Sequence, residues 1–287
     1  MLETLQARLR ILIPENYDAS YDGAEPTPMR SAGLKFDADG RVAWDAMWGS
    51  FCDLAIAGGP PHKGALLEPG PPAVIDAGRQ RYDEVTAEIC RGIRIATDLQ
   101  ADPSPMPGWV RVRCLNEGMA GWLLRAIVME NVAVRADGKA LDLPSSPEYR
   151  LDREIKNVIT VIAKTTHYWE GHMPREQRRA VVELIAEMNR ESPLIVPGDQ
   201  WDEELATRMA GAIQAATGLR AADRRYAGWL GVKCSAAAAA IAMMRLLVAG
   251  NVLARREETT LFVPVNAATD PGGDITVTSL ARVHDLV

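Results

Sequence analysis

The sequence predicts a mixed α and β (α+β) fold built from one helix-strand-helix-hairpin unit used twice. Three observations predict it: a gap-free self-match, apolar periodicities recurring in the same order in both matched stretches, and a composition able to bury a large core. At an offset of 120 residues, 82–144 and 202–264 agree at 18 of 63 positions, including Gly108, Trp109, Cys114, Arg125, Asn131 and Arg135. Unrelated chains of this composition agree at roughly one position in fifteen, so the match reads as an internal duplication. With 287 residues, 47% hydrophobic and 24% charged, the chain can fill one large core or two modest ones and is too balanced to be disordered.

Each element of the unit follows from local pattern. Residues 82–99 and 202–219 carry apolar side chains at helical spacing (Val85, Ile89, Ile93, Ala96; Leu205, Met209, Ala212, Ala216), and Thr217-Gly218 is a stop signal. A variable loop follows. Trp109 to Cys114 and Trp229 to Cys234 then alternate with period two, which predicts half-buried strands. Asn116 or Ser235 is placed to cap a second helix, which runs to about Glu130 or Gly250. Asn131 and Asn251 suit the left-handed position that closes it. Val132 to Arg135 and Lys139 to Leu143 flank Asp137-Gly138, a hairpin signal, and Arg255 to Glu258 stands at the same place in the second stretch.

Outside the matched stretches, Leu34 to Phe36 and Arg41 to Trp44 flank Asp39-Gly40 and read as a hairpin. Asp45 to Ala57 is apolar on nearly every side (Met47, Trp48, Phe51, Leu54, Ile56), which implies burial or a partner surface. Nine of the fifteen residues from Gly58 to Pro72 are Gly or Pro, so this connection should be irregular. Asp152 to about Thr166 and Arg175 to Asn189 read as amphipathic helices. The expected organisation is an N-terminal half (1–150) and a C-terminal half (151–287), related by a pseudo-twofold and intertwined. Each unit has sheet edges and apolar faces that its twin can cover.

Thirty-two Lys and Arg against thirty-eight Asp and Glu give a net charge of -6, which opposes nucleic-acid binding and anionic membrane. Met1 to Arg10 lacks the pattern of a signal peptide. No window approaches eighteen uninterrupted apolar residues. A cytoplasmic, homo-oligomeric protein is expected. Four cysteines without a C-x-x-C pair fit reduced thiols. Strand parity puts Cys114 and Cys234 on the apolar face, as inert core residues. The opposite face, with Trp109, Arg111, Arg113, Trp229 and Lys233, could hold an anion or a base, but the plainer expectation puts the tryptophans under a helix and the cationic heads in water.

No phosphate-binding loop, nucleophile elbow or zincin motif is present, so no reaction, cofactor or metal is specified. The candidate chemistry is concentrated in the junctions between helices. Of four histidines, His62, His167 and His172 lie there, where an imidazole titrating near neutrality suits acid/base chemistry or metal ligation. His167 and His172 lack the i, i+4 spacing of paired ligands on an α-helix. Lys63, Lys164 and Arg125, with Arg245 at the position matching Arg125, are candidate anion-binding groups; a cross-unit ion pair with a carboxylate is the structural alternative for the two arginines. Asp53, a further candidate ligand-binding group within an apolar segment, needs a partner such as Lys164 or Arg125 if it is buried, and a helix-end or solvent-facing place is the equal alternative. The expected function is binding of a small molecule or metal ion, catalytic if the histidines move protons. The alternative is a non-catalytic oligomeric assembly or accessory protein.

Overall fold

Asn131 and Asn251 close the central helix of each unit with φ of 58° and 65°, the left-handed conformation that Asn tolerates best after Gly. In the computed structural model, which describes residues 1–14, 33–47, 56 and 64–287, both stretches follow one element order. The first unit runs α3 (Arg79–Thr97), β1 (Gln100–Pro103), β2 (Trp109–Arg113), α4 (Glu117–Met129), β3 (Arg135–Asp137) and β4 (Ala140–Pro144). The second runs α7 (Glu203–Thr217), β5 (Arg220–Ala221), β6 (Trp229–Lys233), α8 (Ala237–Ala249), β7 (Arg255–Glu257) and β8 (Thr260–Pro264). The sheets are ordered β1-β2-β4-β3 and β5-β6-β8-β7, antiparallel throughout. Trp109 pairs with Pro144 as Trp229 pairs with Pro264.

Two local expectations are corrected. The loop after the first helix supplies a fourth strand to each sheet, because Gln100–Pro103 and Arg220–Ala221 pair with the otherwise open edge of β2 or β6. Asn116 caps α4, its Oδ1 accepting from the Met119 N–H at 2.8 Å, but Ala236 and not Ser235 occupies the corresponding position of α8. No side chain caps α8; its alanine run supplies helix propensity instead.

The remaining described α-helices are α1 (Leu2–Leu12), α2 (Pro72–Ala77), α5 (Lys156–His167), α6 (Arg175–Glu191) and α9 (Asp274–His284), α5 being preceded by a π-helical turn at Leu151–Ile155. Helix α5 packs on α3 and α4, as α9 packs on α7 and α8. The helix leading into each unit crosses to the other: α1 packs on α8, α6 on α4, and α1 and α6 on each other. Leu9 and Leu12 are buried, and α1 also reaches the first unit, the Trp122 indole N–H of α4 donating to the Leu12 carbonyl at 2.8 Å. One cluster of buried residues extends from Leu9 to Val283 through both units.

A lead-in segment also joins each sheet region. The Leu67 N–H donates to Asn131 O at 2.8 Å and the Ile195 N–H to Asn251 O at 3.0 Å. The hairpin around Asp39-Gly40 forms as a single bridge, Phe36 to Val42, with Gly40 at φ 73°. Trp44–Met47 make one 3-10 turn. The rest of the all-apolar helix expected from Asp45 to Ala57 lies outside the described residues, Ile56 excepted. Among the described residues no helix is long and apolar enough to cross a membrane.

Candidate functional site

The apolar stripe of α5 (Val158, Ile159, Val161, Ile162) is fully buried and sets the helix firmly against α3 and α4. Two consecutive aromatics then follow, Tyr168 and Trp169, and both are buried, Trp169 against Trp122 with ring centroids 5.8 Å apart. The chain widens here into a π-helical turn, Tyr168–His172, in which the Met173 N–H donates to Tyr168 O at 3.1 Å. An i to i+5 bond brings residues five apart onto one face. His167 and His172 therefore lie side by side, Nε2 to Nε2 at 3.0 Å, with centroids 4.8 Å apart and planes at 75°. The α-helical period that argues against this pair does not apply where the turn is wider.

One ring donates and the other accepts between the two Nε2 atoms, so at least one imidazole is neutral there. Partial burial, then the neighbouring His167, holds His172 below the ordinary histidine value. His167 is exposed and His172 half-buried, and the Tyr168 ring lies 4.7 Å from His172 and 6.1 Å from His167, so the three rings form a triangle. Two convergent imidazole nitrogens can hold a transition-metal ion or pass a proton. Among the described residues no group of three or more His, Cys, Asp or Glu side chains surrounds a common point. His62, Lys63 and Asp53 lie outside the described residues.

The other named candidates are buried. Lys164 Nζ pairs with Glu130 Oε1 at 2.6 Å, both side chains fully enclosed. Arg125 reaches across to the second unit, but its partner there is an amide: Nη2 donates to Asn251 Oδ1 at 2.5 Å, and Nη1 donates to Gly121 O at 2.8 Å. The cross-unit carboxylate expected for Arg125 is thus replaced by the closing Asn of α8. Burial lowers the Arg125 guanidinium to about 10. Arg245 Nε donates to Ile56 O at 2.9 Å.

A second polar cluster forms around Arg255, whose only signal in the sequence is its identity with Arg135. The Arg255 guanidinium sits 4.0 Å from the Phe262 ring centroid, 4.4 Å from Tyr226 and 5.3 Å from Trp229. Its Nη1 donates to Glu257 Oε1 at 2.8 Å and to Asn131 Oδ1 of the first unit at 3.1 Å. The Leu66 N–H reaches the same cluster, donating to Glu257 Oε1 at 3.2 Å. Burial pushes the Tyr226 phenol up to about 12. These contacts tie the units together and leave Arg255 enclosed rather than open to a ligand.

The mixed Trp and Arg face divides between the sheets. In the first, Arg111 pairs with Asp142 at 2.8 Å, and Arg135 covers Trp109 at 4.4 Å. In the second, the matching positions are Gly231 and Phe262, and a Cβ on Gly231 would stand 2.9 Å from Phe262 Cε1. An ion pair in one sheet is a glycine under a phenyl ring in the other. Both tryptophans are buried with an arginine from the hairpin near each ring, while Arg113 and Lys233 reach water.

Cys114 and Cys234 lie in the core, as strand parity requires, and burial raises their thiols to about 12 and about 11. The fold and site define a mixed α+β protein of two like-folded units carrying a surface histidine pair on a π-helical turn. No family model, curated protein or solved structure matches the chain.

Proposed function

We propose that this protein binds a divalent transition-metal ion through Nε2 of His167 and His172. The observation that carries the reading is their 3.0 Å separation. Two metal–nitrogen bonds of about 2.0–2.1 Å at a tetrahedral angle put the nitrogens about 3.3 Å apart, so the pair accepts an ion by opening a few tenths of an ångström. The depressed His172 supports the same reading, since a ligand imidazole must be neutral. The buried turn beneath, anchored by Tyr168, Trp169 and Met173, limits the entropy lost when an ion fixes the rings.

Zinc, nickel and copper suit two imidazoles; magnesium and calcium prefer oxygen. The test is thermal unfolding of the untagged chain at pH 7.5 with zinc, nickel or magnesium chloride. Zinc and nickel raise the melting temperature of the wild type, magnesium does not, and His167→Ala or His172→Ala abolishes the rise. An unchanged wild type, or an equal rise in both variants, overturns the reading.

A further inference from the structure

We infer that the ion held by His167 and His172 is shared between two copies of this chain, each supplying the same two imidazoles. The inference rests on the metal-binding reading and adds to it the partner that completes the site. Zinc in structural sites takes four protein ligands in a closed tetrahedron. The pair supplies two, and no third His, Cys, Asp or Glu joins them among the described residues.

The position of the pair favours a second copy over a ligand from within. The pair caps the exit of α5 on a solvent-facing turn: His167 is exposed, and Glu170, Gly171, Pro174, Arg175 and Glu176 around it are exposed as well. Gly171 lies beside the His167 ring, where a Cβ would stand 3.5 Å from Cε1, so this residue itself puts no side chain against that flank. The exposed charges near the turn are of both signs, which removes the like-charge barrier that a uniformly charged knob would raise on meeting its own copy. A twofold axis through the ion places two identical pairs on opposite sides of it. That is a tetrahedral four-histidine site made of one self-complementary patch.

Stoichiometry separates the outcomes. The untagged chain is titrated with zinc chloride by calorimetry, and its mass is followed by sedimentation velocity with and without zinc. The inference expects saturation at one ion per two chains, a zinc-dependent doubling of mass reversed by a chelator, and loss of both in His172→Ala. If the chain is dimeric before zinc is added, the stoichiometry alone decides. Saturation at one ion per chain with mass unchanged overturns the sharing and leaves the two-histidine site standing, its coordination completed by water. Absence of any zinc binding overturns the site itself.

Discussion

Asn251 does two jobs that substitutions can separate. It holds a left-handed φ of 65°, and its Oδ1 accepts from the Arg125 guanidinium at 2.5 Å while Nδ2 donates to Ser192 O at 2.9 Å. Arg125 is 1% exposed, and its Nε has no hydrogen-bond partner among the described residues. Removing the amide leaves a charged group with the Gly121 carbonyl as its remaining acceptor. A hydrogen bond to a charged group contributes about 1.5–3 kcal/mol, and stripping a partner from a buried charge costs about 3–5 kcal/mol. Asn251→Gly keeps the left-handed backbone free of strain and loses only the contacts, so a destabilisation of about 3 kcal/mol is expected. Asn251→Ala loses the same contacts and adds about 1–2 kcal/mol for a Cβ in that region. In an Arg125→Met background the Gly substitution should cost about 1 kcal/mol, a coupling of about 2 kcal/mol. Urea unfolding at pH 7, with midpoints compared at constant slope, reads all four variants. If Asn251→Gly lies within about 1 kcal/mol of wild type, the cross-unit hydrogen bond does not hold the units as argued. If Ala equals Gly, the backbone conformation is not what selects Asn.

Two further stability measurements probe the units. Gly108 and Gly228 match in position and have φ of 90° and 66°, but a Cβ at Gly228 would stand 2.2 Å from Gly198 O, whereas at Gly108 the nearest atom, Gly70 O, is 3.2 Å away. Gly228→Ala should therefore cost about 2–5 kcal/mol and Gly108→Ala about 1–2 kcal/mol; equal losses by urea unfolding would refute the difference in approach. Burial raises the Glu68 carboxyl above its ordinary 4.5, against the opposing hydrogen bond from the Ala227 N–H and the pull of Arg255 and Arg224. The folded state then binds that proton more tightly than the unfolded state, so stability falls as pH rises from 4.5 through the raised value, and the penalty is complete above it. Glu68→Gln should be more stable than wild type at pH 7 and converge with it in acid; a variant less stable at pH 7 would contradict the sign.

Features legible before the structure are those encoded over a few residues. The order of helices and strands in each unit follows from apolar periodicity, and Asn131, Asn251 and Gly218 mark helix ends through the left-handed conformation each adopts. The core cysteines follow from strand parity. Strands β1 and β5 carry no such pattern: Gln100-Ala-Asp-Pro has no alternation, and it becomes a strand because β2 offers an open edge. The partner of Arg125 was equally hidden, since the chemistry of a guanidinium asks for an acceptor but does not say which one the fold brings near.

The histidine pair marks the boundary most sharply. The sequence by itself determined that His167 and His172 follow an amphipathic helix, five residues apart, and that α-helical geometry would turn them to different faces. Only the tertiary structure decided that they meet. Burying both Tyr168 and Trp169 goes with a widened turn whose i to i+5 bond restores the alignment. The same holds for the exchange of α1 and α6 between units, because an amphipathic stripe specifies that a helix must be covered, while the surface that covers it is selected by the folded chain.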